Sequence, residues 1–238
     1  MVDYRDDQCV ASRQYGAPDN PIALGIRPAP NGETYELMVS RKRSGPDFAV
    51  EQEGSVDFGG GRIKAWLLNY GGTQTKADVY QFRISAPEME QARFAKTVTL
   101  RAARALDVSF ELRSMSALLT GLQDCTADLK SYWNMGGEQD GRIATSAMGD
   151  VRALFTSDDY PVQALKNDQQ GQSRFLLLID DKGSVAGCHV LQASGVPVLD
   201  AMGCQVIRQR AKFTPARDSR GAAVRSTYTT PLINWSFH

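Results

Sequence analysis

The chain is poor in the side chains that most often carry catalysis. Of its 238 residues only two are histidine, His189 and His238, and only four are cysteine. His189 follows Cys188 directly in what reads as a strand, so the two side chains point to opposite faces and cannot form a Cys–His nucleophile pair. The cysteines form no C-x-x-C and have no histidine at a zinc-binding spacing, which excludes the common zinc modules. No apolar run approaches the ~18 residues of a membrane-spanning helix. Net charge is absent too: 27 basic residues balance 27 acidic ones. That balance argues against a nucleic-acid binder. Metal ligands, cofactors and catalytic residues are therefore not expected, and neither is a membrane span.

What is present is a chain with 42% hydrophobic and 23% charged residues, ordinary for a globular protein with a core. The charge is unevenly divided. Eight basic and four acidic residues fall between Gly171 and His238, leaving 19 against 23 for the remainder. A mildly acidic part thus precedes a mildly basic one, and at roughly 100–200 residues per domain a two-domain chain is expected. Four widely spaced cysteines suit disulfides in an oxidising compartment, the alternative being buried free thiols. Of the three pairings, Cys9–Cys125 with Cys188–Cys204 keeps each bond inside one proposed domain. The opening MVDYRDDQCVAS starts inside a strand-like run and has no signal-peptide pattern, so a targeting sequence is expected to have been removed.

The first part, residues 1–133, reads as β-rich with one long helix. DQCVASRQYG, PIALGIRP, TYELMVSRK, RIKAWLLNY, ADVYQFRIS and LDVSFELRS are apolar or alternating runs separated by Pro, Gly and Asn. APEMEQARFAKT reads as a helical turn or two. Ser114 offers an N-cap to a helix in which Met115, Leu118, Leu119, Leu122, Thr126 and Leu129 recur at helical spacing, ending near Trp133. Asp57-Phe58-Gly59 copies a kinase tripeptide, but the rest of the kinase set is missing and a hairpin turn is the expected reading. Residues 134–157, Gly-rich and aperiodic, read as a linker. The remaining 158–238 reads as helix, strand, strand, helix, strand. Pro161 falls in the first turn of the first helix, a turn forms at Asp181-Lys182-Gly183, and Leu199, Met202, Gly203, Val206 and Ile207 mark one buried helix face.

Several groups invite sharper readings that the pattern does not support. Arg208, Arg210, Lys212, Arg217 and Arg220 form a basic run without interleaved aromatics, expected to be a solvated face. Glu51/Glu53 and Asp158/Asp159 are expected to be solvated carboxylates in polar loops, and Trp66, Trp133 and Trp235 core or strand-face residues.

One series of residues is more specific. It comprises Tyr160-Pro161 with Ala164, Gly171 before an apolar strand, Asp181-x-Gly183-x-Val185, Ser194-Gly195 and Leu199-Asp200. It continues through Arg210-Ala211-Lys212-Phe213-x-Pro215-Ala216 and Gly221 to a final strand. In this order, over about Asp158 to Phe237, it resembles the C-terminal domain of the TonB family. The resemblance implies a periplasmic energy-transducer module, not an enzyme, that binds the TonB box of an outer-membrane receptor. The implied fold is α+β, a three-stranded antiparallel sheet with two helices. Its long last strand, Ala223 to Asn234, leaves an edge able to accept an extended peptide. Tyr160, Pro161, Val224, Ser226, Thr227, Tyr228, Thr229 and Thr230 are the expected protein-binding residues. The partner is then a TonB-dependent receptor or another envelope protein. Where the family usually has a membrane helix and a Pro-rich spacer, this chain has the β-rich part. The alternative reading is an envelope protein that self-associates through the same edge, as a homodimer, without energy transduction. DQCVASRQYG resembles small periplasmic β-sandwich domains of the invasion-associated locus B type. An enzyme centred in the first part has no nucleophile–base pair to support it.

Overall fold

Alternation along β-branched and aromatic runs dictates most of the first half. The structure, a computed structural model, describes residues 2–43, 50–72, 77–103 and 105–236. Met1, Phe237, His238 and the side chain of Glu51 lie outside the described residues. Two compact units divide at Leu129/Lys130.

The first unit contains β1 (Val2–Arg5), β2 (Gln8–Ala17), β3 (Asn20–Pro28), β4 (Thr34–Lys42), β5 (Val50–Asp57), β6 (Arg62–Gly72) and β7 (Ala77–Ser85). A short helix α1 (Ala86–Met89), capped by Ser85 and Glu88, leads to β8 (Thr97–Ala102) and β9 (Leu106–Glu111). All nine strands form one antiparallel sheet in the order β1-β2-β3-β4-β7-β6-β5-β8-β9. Alternate residues fill its interior, as with Tyr35, Leu37 and Val39 on β4 and Tyr80, Phe82 and Ile84 on β7, all nearly inaccessible. β1 covers β2 only as far as Ala11. Beyond that point Tyr15 donates a hydrogen bond from its hydroxyl to the Glu111 carbonyl (2.8 Å) and packs on Phe110. The two ends of the sheet therefore approach, and the sheet is barrel-like. This corrects the sandwich implied by the DQCVASRQYG resemblance, and it makes the large sheet, not the long helix, the organising element.

Helix α2 (Met115–Tyr132) buries Met115, Leu119, Leu122, Thr126 and Leu129 of the expected stripe, with Leu118 half-buried and Cys125 buried beside it. Cys125 bonds Cys9 on β2. Ser114 adopts φ 54° rather than the extended backbone of an N-cap residue, so the expected capping arrangement does not form. Asp57-Phe58-Gly59 is a hairpin turn: the Asp57 carboxylate accepts from the Gly59 and Gly61 amides (2.7 and 3.3 Å), and β6 begins at Arg62.

The second unit continues from the end of α2 through α3 (Gly137–Asp140) to α4 (Val162–Lys166), β10 (Gly171–Ile179), β11 (Val185–Gln192) and α5 (Pro197–Arg210). Four short strands follow: β12 (Ala216–Arg217), β13 (Ala223–Val224), β14 (Ser226–Thr229) and β15 (Ile233–Trp235). β10 is the centre, with β11 on one side and β14 and then β15 along the other. The main sheet is thus four-stranded, where three strands were expected. Pro161 stands just before α4 as its capping residue rather than in its first turn.

The segment expected to be a linker contributes to this core. Ile143, Ala147 and Val151 are buried in the same cluster as Phe175, Leu177 and Ile207. Thr145 and Met148 bridge to Arg217 and Thr214.

α5 lies close on β10 because Gly203 has no side chain: a Cβ there would sit 2.5 Å from the Phe175 ring. Cys188 on β11 bonds Cys204 on α5, closing a separation of 16 residues. Gly183 holds the β10–β11 turn at φ 80°, and a Cβ there would meet the Phe213 carbonyl at 1.9 Å.

Two expectations follow from this packing. Replacing both Cys188 and Cys204 with Ala should destabilise the second unit by about 3 kcal/mol in the chain-entropy picture. Faster exchange of the Leu177 and Leu178 amides would report it. Gly203→Ala should cost about 1–3 kcal/mol through overpacking against Phe175, read as a lowered urea midpoint of the second unit.

Candidate functional site

A strand's backbone N–H and C=O groups point alternately to its two sides, and an edge strand leaves one side unpaired. β14 is such an edge. Ser226, Thr227, Tyr228 and Thr229 pair with Ile179, Leu178, Leu177 and Leu176 of β10, and no other described strand pairs with them. The edge has defined ends. Upstream, Val224 is already paired with Ala216. At Arg225 the carbonyl accepts from Asn134 Nδ2 (2.8 Å) and the guanidinium stacks 4.3 Å from the centre of the Tyr132 ring. Downstream, Pro231 has no N–H and cannot continue a ladder. The chain bulges there: the Thr230 amide donates to the Phe175 carbonyl (2.9 Å), and the Phe175 amide donates to Thr230 Oγ1 (3.0 Å). Pairing resumes at Ile233, which faces Ser173.

The single long strand expected over Ala223–Asn234 is therefore three pieces, and the expected site residues separate. Thr229 is exposed, and Thr227 and Tyr228 are half-buried. The Tyr228 ring packs on Phe213 (4.9 Å) and its hydroxyl reaches the Gly149 carbonyl (3.4 Å). Ser226 and Thr230 are buried, so only their backbones can face a partner. Val224 belongs to the β12–β13 ladder.

Tyr160 and Pro161 lie at the other end of the broken strand. The Tyr160 ring meets Trp235 edge-on at 5.8 Å, and its hydroxyl donates to the Gln169 carbonyl (2.7 Å). Burial raises the Tyr160 pKa above its ordinary value. Trp235 is fixed in turn: its Nε1 donates to Ser173 Oγ (3.2 Å), which donates to buried Asp200 (2.7 Å). The structure thus brings Tyr160 to β15 and not to β14.

No pattern in the sequence announces the ion pair beside Tyr160. Arg210, at the end of α5, donates to both Asp159 oxygens (2.6 and 2.7 Å) and to the Leu154 carbonyl (2.9 Å). Asp159 is 6% exposed and also accepts from the Thr156 amide and hydroxyl. The Arg210 guanidinium, helped by Thr156, lowers the Asp159 pKa to about 2. Two expectations are corrected here. Asp159 is not a solvated loop carboxylate, and Arg210 is not part of a free basic face. The pair spans 51 positions, so no local spacing announces it. The neighbouring basic residues are also partly engaged, with Arg217 donating to the Gly221 carbonyl (2.6 Å) and Arg220 beside Asp218 (3.4 Å). Glu53 is solvent-exposed beside Lys64, as expected, but it lies on β5 and not in a loop. Among the described residues no cluster of three or more His, Cys, Asp or Glu is placed to hold a metal, and no helix is long and apolar enough to cross a membrane.

Residues 157–237 match the family model described as the Gram-negative bacterial TonB protein C-terminal. The match covers about a third of the chain and coincides with most of the second unit. That family is a non-enzymatic protein-interaction domain, and the match makes the second unit TonB-like, as in envelope proteins. No curated protein and no solved structure matches the chain.

Because the Asp159 pKa is depressed, the pair stabilises the fold fully above the unfolded value near 3.9 and ceases to do so as pH falls through about 2. Wild type should therefore lose second-unit stability as the pH falls from about 4 to about 2. Asp159→Asn should be less stable near neutrality and show a smaller loss over that interval, both read from urea midpoints.

Proposed function

We propose that the second unit is a periplasmic docking module that takes an extended, TonB-box-type segment of an outer-membrane receptor, or of another envelope protein, as an added strand on β14. The single observation that carries this is the edge itself: a strand over Ser226–Thr229 paired on one side only. Main-chain hydrogen bonds supply the attraction in such docking, and flanking side chains set preference. Thr227 and Thr229 lie on one side of the added strand and Tyr228 on the other. The Asp159–Arg210 pair and the Tyr160–Trp235 contact hold the adjoining β15 in line rather than touching the peptide. The two disulfides and the TonB match support the periplasm as the working compartment. Docking of this kind would serve energy-dependent transport.

The same edge supports a second reading, antiparallel pairing of β14 with a second copy, in which the unit is a structural envelope module without energy transduction. Backbone amide shifts of the full chain, titrated with a TonB-box peptide, decide between them. Docking predicts saturable shifts at Ser226–Thr229 with little change at Val224, which is already paired. N-methylation of alternate peptide residues should abolish binding in one phase only, because only every second amide faces β14. Absence of saturable shifts overturns the docking reading. If sedimentation also shows a dimer whose dissociation alters those same amides, self-association takes its place.

A further inference from the structure

The first unit contains a cavity of about 400 Å³ between β2, β3 and the start of α2. Volumes of this order are typical of small-molecule sites. Its floor is apolar: Leu24, Ile26, Leu112 and Met115 line it and are 4–8% exposed. No carboxylate side chain lines it, while two guanidinium groups, those of Arg13 and Arg113, do.

The position of Arg13 is informative. On β2 it shares a side with Cys9 and Ala11, both buried, but it lies past the buried part of the strand, at the edge of the cavity that it lines. Arg13 is itself exposed, so its guanidinium sits at the open mouth and is accessible to a ligand. Its guanidinium lies 5.2 Å from the centre of the Tyr15 ring, and its charge, like that of Arg113, acts on the Glu111 carboxylate. Tyr15 is itself fixed by its hydrogen bond to the Glu111 carbonyl and its contact with Phe110.

Arg113 is paired with Glu111 (3.0 Å), but both side chains are more than 60% exposed. An exposed pair of this kind contributes little and is exchanged readily for another carboxylate. The first turn of α2 contributes Met115, Ala117 and Leu118 to the wall, and the positive end of that 18-residue helix adds to the field at the mouth.

We propose that the first unit binds a single-chain amphiphile of the alkyl-carboxylate class, with its chain on the apolar floor and its carboxylate held by Arg13 and Arg113. The apolar floor selects the chain, because it offers an alkyl group burial and leaves a polar group without a partner. The two guanidinium groups select the charge, since a carboxylate can accept from each. This site is separate from the peptide edge and does not depend on it.

The test is calorimetric titration of the full chain with decanoate, decanol and decyltrimethylammonium, each below its micelle-forming concentration. Decanoate should bind with 1:1 stoichiometry, about tenfold or more tighter than decanol, with the cation weakest. Arg13→Gln with Arg113→Gln should weaken decanoate by about tenfold and leave decanol unchanged, the latter also showing that the cavity is intact. No saturable decanoate binding overturns the proposal. So does equal affinity for the three probes, or decanoate affinity unchanged in the double variant.

Discussion

The second unit depends on one strand being paired along both sides. β10 is buried along Phe175–Ile179, with residues 0–5% exposed, and β11, β14, β15 and α5 are placed by reference to it. A strand this apolar cannot serve as an edge, so it must collect β11 on one side and the end of the chain on the other. α5 closes over it at Gly203, where the missing side chain admits Phe175, and the Cys188–Cys204 bond fixes the helix to the neighbouring strand. The unpaired edge is then a consequence. With β10 satisfied, β14 has no further strand to meet among the described residues.

Much of this was legible in the sequence. The apolar run FLLLI announces a buried strand, and the spacing Leu199, Gly203, Val206, Ile207 announces a helix with one buried face. In the first unit, TYELMVSRK and ADVYQFRIS alternate cleanly and became β4 and β7. β5 did not stand out because VEQEGSVD is polar and carries Gly54, which sits where a Cβ would be 2.8 Å from the Phe82 ring. Its interior space is filled from another strand, which only the folded sheet shows. β8 was obscured by the helical turn before it.

The open edge falls within the last strand read from the sequence, but the breaks that bound it were not all legible there. Pro231 is the visible mark of the break in the last strand, since a proline cannot donate to a ladder. The break at Arg225 has no such mark, because it depends on Asn134 and Tyr132, some 90 positions earlier. The same holds for Asp159 and Arg210. Contacts between distant positions with no periodic pattern are set by tertiary packing, and they are what moved Tyr160 away from β14.

The shortness of the edge bears on how it can work. A long, flat, unpaired strand invites indiscriminate pairing, and natural edges are blunted by prolines, bulges and brevity. Here the Thr230–Leu232 bulge and the break at Arg225 confine the open ladder to four residues. So short a ladder supplies few main-chain hydrogen bonds, each worth about 1 kcal/mol net, against the entropy of ordering an extended peptide. Docking as proposed would accordingly be weak and reversible unless side chains beyond the ladder added to it. A module that must release its partner gains from that limit, whereas a permanent assembly would need a wider interface.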